Sequence, residues 1–347
     1  MNAFDPSSRM RVVQIDSEFG LDHLLEVERD RPSEPGPGHA VIRMLAASVN
    51  SRDVLTAKGV YNPRQSLPLI PCSDGVAEVV AIGDDVHRVA VGDRVITCFA
   101  QGWVSGTITP DFRNITLGGP LDGTLSEYML VNESGLVHAP IDLDNEEAST
   151  LPCAALTAWN ALAEQGGISK NDVVLVQGTG GVALFALQFA VALGAKVLIT
   201  SKSDAKLERA LRLGASHSIN YRKSPEWSRI VKKLTGGVGA DHVVELGGSA
   251  TLRQSVRAVR PGGSVSMIGV LGGPVAELDL PLIVMRNVRL QGVTVGSRDS
   301  FDRMLVFIKN HRIRPVVDRV FPLSETVEAF RYLESANHFG KICIRFD

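Results

Sequence analysis

The chain has 347 residues, enough for about two domains of typical size, with 44% of residues in the hydrophobic set and 21% charged. Thirty-six basic and thirty-eight acidic side chains leave a formal net charge of −2 with no lysine or arginine run, so neither nucleic acid nor a membrane surface is an expected partner. Cys72, Cys98, Cys153 and Cys343 form no Cys-x-x-Cys pair and no disulfide framework, and the N-terminus lacks a signal-like apolar stretch, so a cytoplasmic compartment is expected.

Residues 11–139 read as short alternating runs, such as 40–49 and 75–82, separated by Gly, Pro and Asp clusters such as Glu34-Pro35-Gly36-Pro37-Gly38 and Gly92-Asp93. These are strand and turn signals, and they predict an all-β first domain. Over 142–165 the period becomes helical, with Asp142 and Asp144 available as caps and Glu146 and Glu147 in the first turn. Strands at 173–177, 196–200, 242–245 and 264–268 then alternate with helices at 182–193, 205–213 and 251–259, which predicts a parallel, doubly wound sheet. No charge falls between Asp172 and Lys196, but Gly178, Gly180 and Gly181 divide that span into strand, turn and helix, so it is not a membrane segment. A helix at 301–310, a strand at 315–321, a helix at 324–333 and a strand at 341–346 read as a return to the first domain. The expected division is 1–154 with 298–347, and 155–297.

Gly178-Thr179-Gly180-Gly181-Val182-Ala183 is a G-x-G-x-x-A string between a predicted strand and a predicted helix. The first glycine permits the tight turn, the second lets the backbone approach a pyrophosphate, and the small third residue allows the helix to pack on the strand. The helix N-terminus then directs N–H groups at the phosphates. About 20 residues on, an NAD site places an acid for the ribose hydroxyls; this chain has Thr200-Ser201-Lys202-Ser203. Hydroxyls and an ammonium suit a 2′-phosphate, so NADPH is the expected cofactor. The alternative is that Ser203 and Asp204 only cap the next helix and Lys202 is a solvated charge. Tyr221 and Arg222 either stack on adenine and add charge or are surface residues. Gly247, Ile268, Gly269 and Val270 complete the expected cofactor-binding set.

Asn50-Ser51-Arg52-Asp53, Pro71-Cys72-Ser73-Asp74-Gly75, Val91-Gly92-Asp93-Arg94-Val95, the run from Leu151 to Ala158 and the run from Val176 to Val182 together resemble the medium-chain dehydrogenase/reductases over essentially the whole chain. The resemblance implies an α/β protein with a GroES-like β-rich catalytic domain and a Rossmann cofactor domain. Within the superfamily the chain is similar to the zinc-free branch of NADPH-dependent quinone oxidoreductases, often labelled zinc-type alcohol dehydrogenases. A catalytic zinc needs three protein ligands. Where zinc-dependent members place cysteine and histidine this chain has Asn50 and Ser73, and only Cys153 aligns with a ligand, so no metal is expected. The stretch 101–123, where the structural zinc lobe of the family lies, has no cysteine.

Hydride transfer to a quinone or an α,β-unsaturated carbonyl builds negative charge on the carbonyl oxygen, which hydrogen-bond donors must then stabilise. The resemblance places Asn50 and Tyr61 near the nicotinamide and Thr157 at the domain junction. Asn50 is equally readable as a helix cap, Tyr61 as a packed loop aromatic beside Pro63, and Asp53, one turn from Asn50, as an orienting group or a surface ion pair. The alternatives kept open are an alcohol or aldehyde dehydrogenase and a non-catalytic NADPH-binding redox sensor. The run from Leu290 to Val295 resembles an edge strand through which family members dimerise, so a homodimer is expected.

Overall fold

The alternating runs of the N-terminal half become strands β1 (Arg9–Ile15), β2 (Leu24–Asp30), β3 (His39–Val49), β4 (Asp74–Ile82), β5 (Arg94–Thr97), β6 (Tyr128–Asn132) and β7 (Leu136–His138) in a computed structural model that describes residues 4–346. The chain divides into two compact units, one made of the residues up to Ala154 with those from Ser297 onward, the other of Ala155–Gly296. In the first unit β1 and β2 form an antiparallel pair, and the other strands join a seven-stranded sheet. The eleven-residue β3 is its spine: residues 39–43 pair with β6, residues 46–49 pair with a strand from the C-terminal segment, and β4 runs along its other side. Hydrogen-bonded along both edges, β3 is buried at most positions, including Val41, Ile42, Met44 and Ala47. Helix α1 (Ser51–Ala57) follows β3 directly, with Asn50 at its N-cap position.

Helix α2 (Asn145–Ser149) is capped by Asp144, not Asp142: the Asp144 carboxylate accepts from Glu147 N–H at 2.8 Å, and Glu147 accepts from Asp144 N–H at 3.1 Å. The single helix expected over 142–165 is interrupted. Wide π-type turns at Leu151–Ala155 and Asn160–Glu164 flank the short α3 (Leu156–Trp159). Pro152 has no N–H to donate to the preceding turn, so the regular ladder cannot run through it.

The second unit alternates as expected: β8 (Val173–Gln177), α4 (Gly181–Ala192), β9 (Lys196–Ser201), α5 (Asp204–Arg212), β10 (His217–Asn220), α6 (Trp227–Leu234), β11 (Ala240–Glu245), α7 (Leu252–Ala258), β12 (Val259–Met267), α8 (Leu280–Val284) and β13 (Arg289–Gly292). All six strands are parallel in the order β10-β9-β8-β11-β12-β13, so the direction of strand succession reverses between β8 and β11. In a doubly wound sheet, ligands bind at the carboxyl ends of the strands beside such a reversal. Helices cover the strands, so β8 and β9 are apolar runs buried almost throughout rather than alternating ones. The amphipathic α6 is not anticipated by the sequence reading.

The chain then returns to the first unit with α9 (Arg298–His311), β14 (Val317–Pro322), α10 (Thr326–Glu334) and β15 (Lys341–Arg345). Ser297 caps α9, which starts it three residues before the expected 301. β15 pairs with β14 in parallel and with β3 antiparallel, setting Ile342 opposite Val49. Among the described residues no helix is long and apolar enough to cross a membrane.

The segment leading into β4 is held by close backbone packing. Cys72 has a φ of 70°, a strained value for a residue with a side chain, and Gly123 lies against it so tightly that an added Cβ would sit 2.0 Å from the Cys72 carbonyl oxygen. Thr124 N–H donates to that same carbonyl at 3.0 Å. Gly123→Ala is therefore expected to destabilise the protein by about 1–3 kcal/mol through overpacking; an unchanged urea midpoint would refute the clamp.

Candidate active site

Three neighbouring strands converge on a buried polar cluster in the first unit. The β3–β4 register sets Ser48 opposite Asp74, the β15–β3 register sets Ile342 opposite Val49, and Asn50 follows β3 immediately. Asp74, Lys341 and Asn50 thus meet, exposed by only 0%, 3% and 9%. The Lys341 ammonium donates to Asn50 Oδ1 at 2.5 Å and to the Val49 carbonyl at 3.0 Å, and lies 3.6 Å from Asp74 Oδ2. Asn50 Nδ2 donates to Asp74 Oδ2 at 2.8 Å. Ser73 Oγ donates to Asp74 Oδ1 at 2.8 Å, and Ser48 Oγ lies 3.2 Å from Asp74 Oδ2. Removing one partner of such a buried ion pair costs about 3–5 kcal/mol, because the other charge is left uncompensated.

Asn50 occupies the N-cap position but its side chain makes no capping bond; its backbone N–H donates to Asp53 Oδ2 at 2.8 Å. The carboxamide bonds Lys341 and Asp74, so Asn50 stands at the N-cap of α1 and in the polar cluster at once. Asp53 is fully buried, so the surface-ion-pair reading is corrected. Its carboxylate lies 3.4 Å from the Arg52 guanidinium. Burial pushes the Asp53 carboxyl up from near 3.8 to about 6, against the pull of Arg52. Arg52 donates to the Leu117 carbonyl at 2.8 Å and to the Gly119 carbonyl at 3.3 Å, tying α1 to that loop. Its guanidinium lies between the rings of Phe99 and Tyr61, 4.8 Å and 5.1 Å from their centroids. Tyr61 is 55% exposed, so it is not the packed loop aromatic that its neighbour Pro63 suggested. The Cys153 thiol is half-buried, and desolvation pushes it well up. Thr157 belongs to the second unit, buried in α3, and is not among the residues that build this cluster.

In the second unit the expected cofactor residues lie at the carboxyl ends of the parallel strands. Gly178, just beyond β8, has a φ of 79° and open space where a Cβ would be, and Gly180 begins α4 without a side-chain cap. Thr179 is buried between them, and Gly181 and Val182 form the first turn of α4. An uncapped helix start beside an open glycine turn fits a pyrophosphate. Ser201 ends β9, and Tyr221 N–H donates to its carbonyl at 3.2 Å, so the ends of β9 and β10 form one patch. Ser203 does cap α5, accepting from Lys206 N–H. Among the described residues, however, neither the Lys202 ammonium nor the Arg222 guanidinium makes an ion pair. Nearby Asp204 is held below the usual carboxylate range by hydrogen bonds from Lys223 and Asn220.

Glu245, at the end of β11, organises the remaining set and was missed by sequence reasoning. Its Oε1 accepts from Gly247 N–H at 2.8 Å, from Gly248 N–H at 3.0 Å and from the Thr251 hydroxyl; its Oε2 accepts from Gln177 Nε2 at 2.7 Å and from the Ser255 hydroxyl. The Glu245 carbonyl accepts from Ile268 and Gly269 N–H, and Gly247 bridges to Val270. An acid closing an apolar strand just before a glycine pair is the signal that would have found it. Asp74 stands in a quoted motif without a role, and Lys341 opens an apolar strand with nothing near it in sequence to mark it.

Two family descriptions match the chain: Zinc-binding dehydrogenase over residues 181–310 and Alcohol dehydrogenase GroES-like domain over residues 36–141. A zinc-type alcohol dehydrogenase-like protein of Schizosaccharomyces pombe is 41% identical over 344 residues, spanning 97% of this chain and 99% of that protein. A solved Sinorhizobium meliloti structure, provisionally described as an alcohol dehydrogenase, superposes with a TM-score of 0.92 at 41% identity over 98% of this chain and 99% of that one. A structure described as an NAD-dependent alcohol dehydrogenase superposes with a TM-score of 0.89 at 33% identity over 97% and 99% of the two chains.

Zinc does not fit the residues present. Asn50 offers an amide and Ser73 a hydroxyl, which leaves Cys153 as the one thiol of the three, while both Asp74 oxygens are engaged beside a buried ammonium. A second cation placed there would meet the Lys341 charge, and among the described residues no group of three or more His, Cys, Asp or Glu side chains is placed to hold a metal.

Between pH 4 and pH 6 the native Asp53 carboxyl retains a proton that the unfolded chain has already released, so its contribution to stability falls as pH rises through that window. Asp53→Asn removes this dependence. The stability of the variant relative to the parent is expected to rise from pH 4 to pH 6.5 in urea unfolding, and a constant difference would contradict the elevated pKa.

Proposed function

The chain belongs to the medium-chain dehydrogenase/reductase superfamily and is an NAD(P)H-dependent oxidoreductase; from that premise we propose that it reduces quinones or α,β-unsaturated carbonyls with NADPH and without zinc. The observation that supports this reading is the Asn50 carboxamide, a buried donor clamped between Asp74 and Lys341 at a position where zinc-dependent members, by the resemblance, carry a cysteine ligand. Oxidising an alcohol requires a base or a metal to take up its hydroxyl proton. A conjugated carbonyl is already electrophilic and needs a hydrogen bond to the oxygen that becomes negative. Asn50 Nδ2 has two hydrogens, one engaged by Asp74; the second is available for that oxygen. Tyr61 lies on Arg52 beside the same helix and shapes the approach.

Gly178, Thr179, Gly180, Gly181 and Val182 would hold the pyrophosphate, and Gly247, Ile268, Gly269 and Val270 the nicotinamide end. Ser201 and Lys202, with Arg222 beside Tyr221, would bind the 2′-phosphate. Bound NADPH supplies the hydride, and solvent supplies the proton that completes the reduced acceptor. The similar NAD-dependent alcohol dehydrogenase keeps a second reading in play, in which NAD serves and an alcohol is oxidised.

The decisive experiment follows NADPH and NADH oxidation with a quinone and an enone in the presence of a strong chelator, alongside zinc analysis of the purified protein. NADPH-selective turnover without stoichiometric zinc is expected, and K202E should weaken NADPH binding roughly ten- to hundred-fold, the worth of one charge-assisted contact, without lowering Tm. One zinc per chain, or turnover only with NAD and alcohols, would replace this reading. NADPH binding with no turnover of any acceptor would favour a redox sensor.

We further propose a homodimer. β13 is an edge of the six-stranded sheet, and Val284 and Met285, just before it, are 70% and 80% exposed. An unpaired edge beside exposed apolar side chains is suited to pairing with its own copy about a twofold axis. Light scattering should give twice the chain mass, and a monomer at all concentrations would exclude the dimer.

A further inference from the structure

Nothing in the sequence marks Lys341 as functional, yet its ammonium is buried at the centre of the first-unit cluster. It comes from the C-terminal return, from a strand in which Ile342, Cys343 and Ile344 pack as core. A lysine serving only as packing would extend its tip to water, because a hydrated ammonium is strongly favoured over a buried one. Here the tip points inward and lies 2.5 Å from one atom, Asn50 Oδ1.

We propose that Lys341 is a positioning residue for hydride transfer: it fixes the Asn50 carboxamide with its oxygen turned to the ammonium and its nitrogen to Asp74, so that Asn50 can meet an acceptor only as a donor. This rests on the reading of Asn50 as the group that receives the acceptor oxygen. The two ends of an amide are nearly isosteric, so shape alone does not decide its orientation. Charge does. Turning the amide over would face its NH2 with the Lys341 ammonium and its oxygen with the Asp74 carboxylate, replacing two charge-assisted hydrogen bonds by two repulsive contacts in a site with almost no water. Lys341 has a second effect. By drawing electron density toward Oδ1 it makes the Nδ2 hydrogens more acidic and the remaining one a stronger donor. A fixed positive charge from the protein thereby acts through the amide, at a place whose donor set does not suit a metal ion.

The test compares K341M, K341R and N50S with the parent enzyme. With NADPH and an enone, K341M is expected to lose kcat by about tenfold or more while its Kd for NADPH stays within twofold, K341R is expected to recover part of kcat, and K341M with N50S combined should lose little more than N50S alone. A folded K341M with parental kcat, a loss confined to NADPH binding, or fully additive losses would overturn the proposal. If K341M does not fold, K341Q, which keeps a donor without the charge, takes its place. A second arm does not depend on turnover: in protein labelled with 15N-asparagine, the Asn50 side-chain amide pair is identified by its loss in N50S. A separation of the two proton resonances larger than that of a free carboxamide is expected in the parent and in K341R, and one reduced toward the free-carboxamide separation in K341M. Resonances unchanged in K341M would overturn the inference even if the acceptor reading itself had failed, whereas a separation reduced in K341M with no enone or quinone turnover by the parent would uphold the positioning and refute the acceptor.

Discussion

A charge buried away from water must be neutralised where it lies, and in the first unit that requirement falls on Asp74. Its carboxylate is fully enclosed at the start of β4, and the groups that satisfy it come from the end of β3, from the adjacent Ser73 and from the first residue of β15. The architecture of the unit can be read outward from this point. β3 must run beside β4 to bring Ser48 and Asn50, and the chain must return more than two hundred residues later to lay β15 on the opposite edge of β3. A one-residue slip of β15 would carry Lys341 away from the carboxylate and turn its neighbours to the wrong faces, so the ionic cluster and the apolar pattern specify the same register.

How legible each part was in the sequence follows from the distance over which its determinants act. The glycine loop is local: strand, turn and helix start lie within a dozen residues, and each has a backbone reason for its composition, so Gly178, Gly180 and Gly181 stand where they were expected. The β strands of the first unit and the alternation of the second were likewise readable from their periodicity. The interruption at Pro152 was not, because the helical period on either side outweighed one residue. α6 escaped for a similar reason, as it begins without a strong cap.

The cluster was illegible for a different reason. Asn50, Asp53 and Asp74 each stand in a motif, but nothing local shows that one amide will be held between an acid and a lysine almost three hundred residues apart. Lys341 by itself reads as a solvated charge at a strand end. Only the pairing of β15 with β3 reveals that this end of the strand is interior. Asp53 shows the same limit: its helical spacing from Asn50 was plain, while its complete burial, and with it the elevated pKa, depended on Arg52 and on the loop that Arg52 binds.

The two units handle charge in opposite ways. In the first, Lys341 and Arg52 balance Asp74 and Asp53 inside the structure, leaving no net charge to attract an ionic ligand. Replacing such a cluster by apolar residues is often neutral or stabilising, and on the proposed reading its role is to orient Asn50. In the second, Lys202 and Arg222 lie at the surface with no acid committed to them, while the acid close by, Asp204, is taken up by Lys223 and Asn220. Exposed cations with no committed acid add little to folding. On the proposed function, exposed cations would grip the cofactor's 2′-phosphate and let it go again. On the same reading, charges already spent on each other would leave a single N–H for a neutral carbonyl.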